Sequence, residues 1–300
     1  MLSLRPLPIG PSLSSVLVAI LLGSFAVGCG ESVVDGSFQS GGAGGTGPAV
    51  STSATGTGVG GANIEIHLRA TTAPFPHSDG LSGQTPLAHS SAIRSLFLYK
   101  DANDTAPLEV FDFGADAVEA GYDDGDDTLV ATVKAKTLPK ATYTLARVVH
   151  NYVRYRVSAT AHSGGFSAPG EFDNLQVLSD GSNVGGVMHD HGYYEYKFTT
   201  AGMTFPVSGS DAPTPEWVGG GGFSVKLENG QWSYSFPVTL PVDPDITNDI
   251  KIVLGVNMNE SFRWQDQTSP GYAPGVFDTT ATTFEPVMRF GANSFAVTVE

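Results

Sequence analysis

Residues 141–162 read ATYTLARVVHNYVRYRVSATAH, and their alternation decides the fold class. The odd positions are Tyr143, Leu145, Arg147, Val149, Asn151, Val153, Tyr155, Val157 and Ala159. The even positions are Thr142, Thr144, Ala146, Val148, His150, Tyr152, Arg154, Arg156, Ser158, Thr160 and His162. The first set is mainly apolar and the second mainly polar. That is the period-two pattern of a strand with one dry face and one wet face, and no 3.6 period competes with it. At ~3.3 Å per residue the stretch outruns an ordinary strand. The alternation is weakest at 148–151, so a bulge or bend is expected there, giving two strands or one that crosses between sheets.

Short strands flank this stretch on both sides. Ile64, Ile66 and Leu68 alternate with Glu65, His67 and Arg69, and IRSLFLYK (93–100) and LEVFDF (108–113) follow. Further strands are read at 128–137, 172–178, 193–200, 223–228, 232–240, 249–258, 284–290 and 294–299. Asn229-Gly230 is the strongest hairpin signal, and Gly291-Ala292-Asn293 is read as a second hairpin. Segment 71–90 is a Pro/Gly/His loop, segment 115–127 an acidic loop, and 206–222 the weakest seam. The whole is an all-β chain, a β-sandwich over residues 63–300, built as one large sandwich or two smaller ones. LPKATYTL (138–145) resembles the turn-into-strand segment of prealbumin-like bacterial sandwiches, which implies the same fold class.

Composition narrows the function classes. Of 300 residues 41% are hydrophobic, enough for a sizeable core. Only 15% are charged, and Gly, Pro, Ser and Thr fill the difference, as suits a turn-rich β protein. Fifteen Lys and Arg against 30 Asp and Glu give a net charge of −15, which repels phosphate backbones and argues against nucleic-acid binding.

The first residues read as an export address. Arg5 precedes an apolar run at 13–27 that is short for a membrane span and ends in small residues. Ala26-Val27-Gly28-Cys29 resembles the bacterial lipobox. The resemblance implies a signal peptide (residues 1–28) cut before Cys29, whose sulfur takes a diacylglycerol and whose amino group takes a palmitate-type acyl chain. Cys29 is the single cysteine of the chain, so no internal disulfide is possible. Gly30 rather than Asp follows it, which in that class implies the outer membrane of the cell envelope. Residues 29–62 are Gly, Ser and Thr with little apolar content, a flexible linker with a reach of roughly 30 Å.

Several side-chain groups are candidates for chemistry. His189 and His191 lie two apart, so in a strand both imidazoles face one way. His150, and less directly His162, could join them around copper or zinc. Asp123, Asp124, Asp126 and Asp127 could offer carboxylate oxygens to calcium, though without the spacing of an EF-hand loop. Trp264 and Tyr272, in the loop WQDQTSPGYAPGVF (264–277), could stack on a glycan or protein partner, with Phe262, Trp217 and Trp232 nearby. No nucleophile elbow, metalloprotease helix, phosphate loop or dinucleotide fingerprint is present. The leading expectation is a non-enzymatic binding or structural lipoprotein, with a metal-binding protein and a secreted hydrolase as alternatives.

A broader likeness runs from NIEIHLRA through LFLYKD and LPKATYTLARVVHNYVRY to MHDHGYYEYKF and VLGVNMNESF. This order is similar to that of periplasmic copper-binding proteins associated with methanobactin, and it implies copper as the metal. His189 and His191 stand where that family has tryptophans.

Overall fold

The computed structural model describes residues 61–163, 165–212, 224–280 and 284–300. Cys29, the leader, most of the tether, Trp217 and the 213–222 part of the seam lie outside the described residues. The described chain is a β-sandwich built almost entirely of strands. In order they are β1 (Asn63–Thr71), β2 (Ser82–Gln84), β3 (Ala88–Tyr99), β4 (Leu108–Asp112), β5 (Val118–Gly121) and β6 (Asp127–Lys134). After one 3₁₀ turn come β7 (Ala141–Ser163), β8 (Phe166–Val177), β9 (Ser182–Val184), β10 (Val187–His189), β11 (Tyr194–Thr200) and β12 (Met203–Gly209). The last are β13 (Ser224–Glu228), β14 (Gln231–Val242), β15 (Ile250–Asn257), β16 (Phe262–Trp264), β17 (Asp278–Thr280), β18 (Val287–Arg289) and β19 (Ser294–Val299).

A four-stranded sheet, β19-β15-β1-β6, packs on a ten-stranded sheet whose path is β12-β11-β8-β7-β14-β13. Pairing between β1 and β15 is parallel, so both strands turn the same alternate residues inward. Ile64, Ile66, Leu68, Ile252, Leu254 and Val256 thus meet Leu96, Leu98, Ala146, Val148, Phe236 and Leu240 in one buried cluster. A smaller three-stranded sheet, β18-β16-β2, is separate from both. Its Phe262 and Trp264 join Phe277 against Val157 and Ala159 in the distal half of β7.

β7 is one continuous strand, and its bulge falls within the expected segment. Ile93 pairs His150 and Ala92 pairs Tyr152, so Asn151 is left over. On the other edge the neighbour changes at the same place: β14 pairs residues 141–150 and β8 pairs residues 152–163. The simple wet-and-dry assignment needs correcting in the middle of the strand. From Val148 to Val153 every residue is buried. Ala146, Val148 and His150 are buried although they belong to the set read as polar, whereas beyond the bulge the odd residues Val157 and Ala159 enter the core. The extra residue changes which parity points inward across the bulge, and Arg94, left over on β3 between Ile93 and Ser95, makes the matching change on the neighbouring strand.

Asn151 holds this switch. Its carbonyl accepts the amides of Leu178 at 2.7 Å and Ser179 at 3.2 Å. Its side-chain amide donates to the carbonyls of Gly114 and Ala115, both at 2.9 Å, and the residue is fully buried.

The Asn229-Gly230 hairpin is present, with both residues at positive φ (52° and 72°), as a type I′ turn requires. The second expected hairpin is not one. β18 pairs β16, and β19 pairs β15, so Gly291-Ala292-Asn293 crosses between two sheets. Asn293 secures the crossing through Nδ2 donated to the Asn259 carbonyl at 2.6 Å.

Replacing Asn151 with Ala takes its side-chain donor from the half-buried Gly114 carbonyl and one of two donors from Ala115, whose carbonyl keeps the Asn183 amide, and should cost about 1–3 kcal/mol of unfolding free energy. Asn151→Asp, which keeps the size but loses the donor, should cost a similar amount. Urea denaturation measures both, and a wild-type midpoint in either would remove Asn151 from the centre of the fold.

Candidate binding site

The junction between the two covering sheets leaves a cavity of about 110 Å³, partly open to solvent. Every nearby element contributes to its wall. β3 supplies His89 and Ser91, two apart and so on one face; the bulge of β7 supplies His150 and Val153. β14 supplies Trp232 and Tyr234, again two apart. The crossing segment supplies Phe290, Gly291 and Ala292, and Tyr122 and Phe295 complete the ring-lined interior.

Ser91 sets the tautomer of His150. Its hydroxyl donates to the Tyr152 carbonyl at 3.0 Å and lies 2.5 Å from His150 Nδ1. A serine hydroxyl has one proton, so with that proton committed, Nδ1–H of His150 is the donor in the second bond. His150 Nε2 is then a bare acceptor, buried and without a partner; His89 Nδ1 is likewise buried and unpartnered.

Ring contacts fix both imidazoles in place. His150 stacks on Tyr234 at 5.0 Å and meets the Trp232 edge at 5.8 Å. His89 stacks on Tyr122 at 4.7 Å and tilts against Phe290 at 5.0 Å. Burial pushes both histidines down to about 3, and His150 adds to the effect on His89. Burial also pushes the Tyr122 and Tyr234 hydroxyls upward. The lining is therefore uncharged at neutral pH.

In the sequence these residues belong to separate candidates, His150 to the metal group with His189 and His191, and Trp232 to the stacking aromatics. The structure joins His150 to Trp232 and leaves the other two histidines in their own settings. His189 stacks on Tyr193 at 3.7 Å, and His191 is exposed and bonded through Nδ1 to Asp180. Among the described residues no three His, Cys, Asp or Glu side chains gather in a way that could hold a metal ion.

The acidic loop is also dispersed. Asp123 Oδ1 accepts the His89 amide at 3.3 Å, Asp124 Oδ1 the Thr72 amide at 2.7 Å, and Asp126 Oδ2 the Asp123 amide at 2.9 Å. Asp127 turns to His67 and Arg69. For Trp264 the stacking expectation is corrected: it is 1% exposed, packed against Phe277, with its indole N–H donated to Asp266. Tyr272 is half-buried and lies over His162 at 5.0 Å.

Acids clamp the 264–277 loop. Glu285 accepts the amides of Gln267 and Asp278, at 2.7 and 2.9 Å. Asp278 takes His162 Nε2 at 2.6 Å and the Ala273 amide at 2.9 Å. Ser167 Oγ lies 2.9 Å from His162 Nδ1, so serine, histidine and aspartate stand in series. Gly271 covers that contact, since a Cβ there would meet Nδ1 at 3.1 Å and Oγ at 3.8 Å. The series ties a loop to β7 and β8.

His89, Ser91, Tyr122 and Tyr234 were missed in the sequence. The only local trace is the i, i+2 spacing of His89-Ser91 and Trp232-Tyr234, which is common to any strand. No protein-family model, curated protein or solved structure matches the chain.

Both histidines bind protons less well folded than unfolded. The stability this contributes is full above the ordinary histidine value of ~6.5 and is lost as pH falls toward 3. Lowering the pH from 7 to 5 should therefore cost wild type more unfolding free energy than a His89→Gln/His150→Gln variant. The difference should approach about 1.4 kcal/mol per pH unit per histidine. Asp123, whose carboxyl burial pushes up beside the His89 amide, is common to both proteins and cancels in the comparison. Parallel pH profiles would mean that the imidazoles are not held neutral.

Proposed function

We propose that the protein is a non-enzymatic lipoprotein of the bacterial cell envelope, anchored at the outer membrane through Cys29, whose β-sandwich binds a small ligand. The observation that carries the binding role is the cavity, partly open to solvent and lined by aromatic rings and two neutral imidazoles; mostly apolar openings with a few convergent polar groups are where small ligands bind. Support for the anchor is the apolar leader, the lone cysteine at its end and the Gly/Ser/Thr tether behind it. Two or three acyl chains hold a protein stably at a membrane, at roughly 0.8 kcal/mol per buried methylene.

A copper or zinc ion in this same cavity is the second reading. It is favoured by Ser91 behind His150, because metal-bound histidines commonly have their other ring nitrogen held in this way. His89 and His150 would be its protein donors. Metal analysis of purified wild type and of a His89→Ala/His150→Ala variant separates the readings; one equivalent of metal, lost in the variant, would favour the ion.

Globomycin, which blocks the lipoprotein signal peptidase, should make an uncut precursor accumulate. Cys29→Ala should release the protein from the membrane fraction. Unchanged processing under globomycin would refute the anchor.

A further inference from the structure

We infer that the occupant of the His89/His150 cavity is a small, uncharged, apolar ring, an aromatic hydrocarbon of benzene or toluene size that packs against the wall without needing a hydrogen bond from it. The inference rests on the reading of this cavity as a binding site and adds the chemistry of its occupant.

The wall carries no charge. No Asp, Glu, Lys or Arg is among the lining residues, so neither a cationic nor an anionic guest finds a counter-charge. Burial pushes both imidazoles down to about 3, so neither supplies a cation at neutral pH. Moving an ion into such surroundings is far more costly than moving a neutral molecule.

Shape selects a ring. An apolar cavity of about 150 Å³ takes up benzene. This one is about 110 Å³ and open on one side, so a single ring fits with its edge at the mouth. Tyr122, Trp232, Tyr234, Phe290 and Phe295 present aromatic surface, which favours stacked or edge-on packing of another ring. Val153 and Leu178 add aliphatic surface. Burying the guest's own apolar surface against this wall supplies the driving force.

The unpartnered nitrogens place no polar demand on the guest. His150 Nε2 and His89 Nδ1 are closed off from water, so a molecule in the opening reaches neither. His150 Nδ1 is spent on Ser91, whose own proton goes to the Tyr152 carbonyl. These atoms are in the same condition whether the cavity is filled or empty, and they select for no donor on the guest.

The test is calorimetric titration of the purified full chain with benzene, cyclohexane, phenol and benzoate. Benzene should saturate one site. Cyclohexane, although more hydrophobic, should bind no more tightly, because the wall favours a ring with a π face. Phenol should bind no more tightly than benzene, and benzoate at least about tenfold more weakly. Ala292→Phe, which fills the opening from the crossing segment, should abolish benzene binding. Should that variant fail to fold, proton spectra of wild type give an independent reading: benzene should shift the Trp232 indole resonances and leave those of Trp264, in the other cluster, in place. Phenol binding more tightly than benzene, or benzoate matching it, would overturn the apolar assignment while leaving the cavity as a binding site. Cyclohexane binding more tightly would overturn the aromatic preference, and benzene binding retained by a folded Ala292→Phe would overturn the placement in this cavity. Saturable binding of Cu⁺ or Zn²⁺ that excludes benzene would overturn the neutral-ring assignment. No saturable binding of any ring or metal would overturn the cavity reading itself.

Discussion

The Asn151 bulge is the constraint on which the rest of the structure depends. A strand as long as β7 cannot keep one face dry along its whole length when two different layers cover it. Asn151 resolves this by adding a residue to β7, and Arg94 adds one to β3 beside it, so that both strands change phase while the pairing beyond them stays in step. The Asn151 carbonyl then receives the incoming end of β8, and its side chain pins the loop at Gly114 and Ala115. Before the bulge β7 belongs with β14 beneath the four-stranded sheet; after it β7 belongs with β8 beneath the three-stranded one.

The candidate site follows from that switch. Without the extra residue, His150 would fall out of step with Val148 on one side or Val153 on the other. With it, His150 lies beside Val153 in the cavity wall and opposite Trp232 in the ladder. The serine that orients it sits on β3, directly across from Val153. Three strands, two of them bulged side by side at Asn151 and Arg94, therefore bring together an imidazole, its hydrogen-bond partner and the rings that shield it.

What could be read from the sequence was mainly what is local. The opening strand, the Asn229-Gly230 turn and the place of the bulge are encoded within a few residues of themselves. Gly291-Ala292-Asn293 carries the same turn chemistry, yet its flanking strands find different partners far away in sequence. Period-two counting placed His150 on a wet face because counting assumes an unbroken phase, and one inserted residue breaks it. Trp264 sits in a loop rich in Pro and Gly, which suggested exposure. Asp266, Asp278 and Glu285, which fasten that loop, accept the backbone amides of Gly275, Ala273 and Gln267, which no pattern of side chains reveals.

The acid excess acquires a structural meaning from those clamps. With half as many bases as acids, half of the carboxylates have no Lys or Arg of their own, and many accept backbone amides at turns. Loops fixed in this way need little apolar packing of their own. The aromatic residues are thereby released for the interior, where they accumulate at the junction of the two covering layers. A gap in a core is normally destabilising. One acid reaches the wall of this one: Asp123 Oδ1 accepts the His89 amide and so holds the strand that carries His89 and Ser91. The opening is neutral and ring-lined, with a carboxylate fixing its backbone from outside.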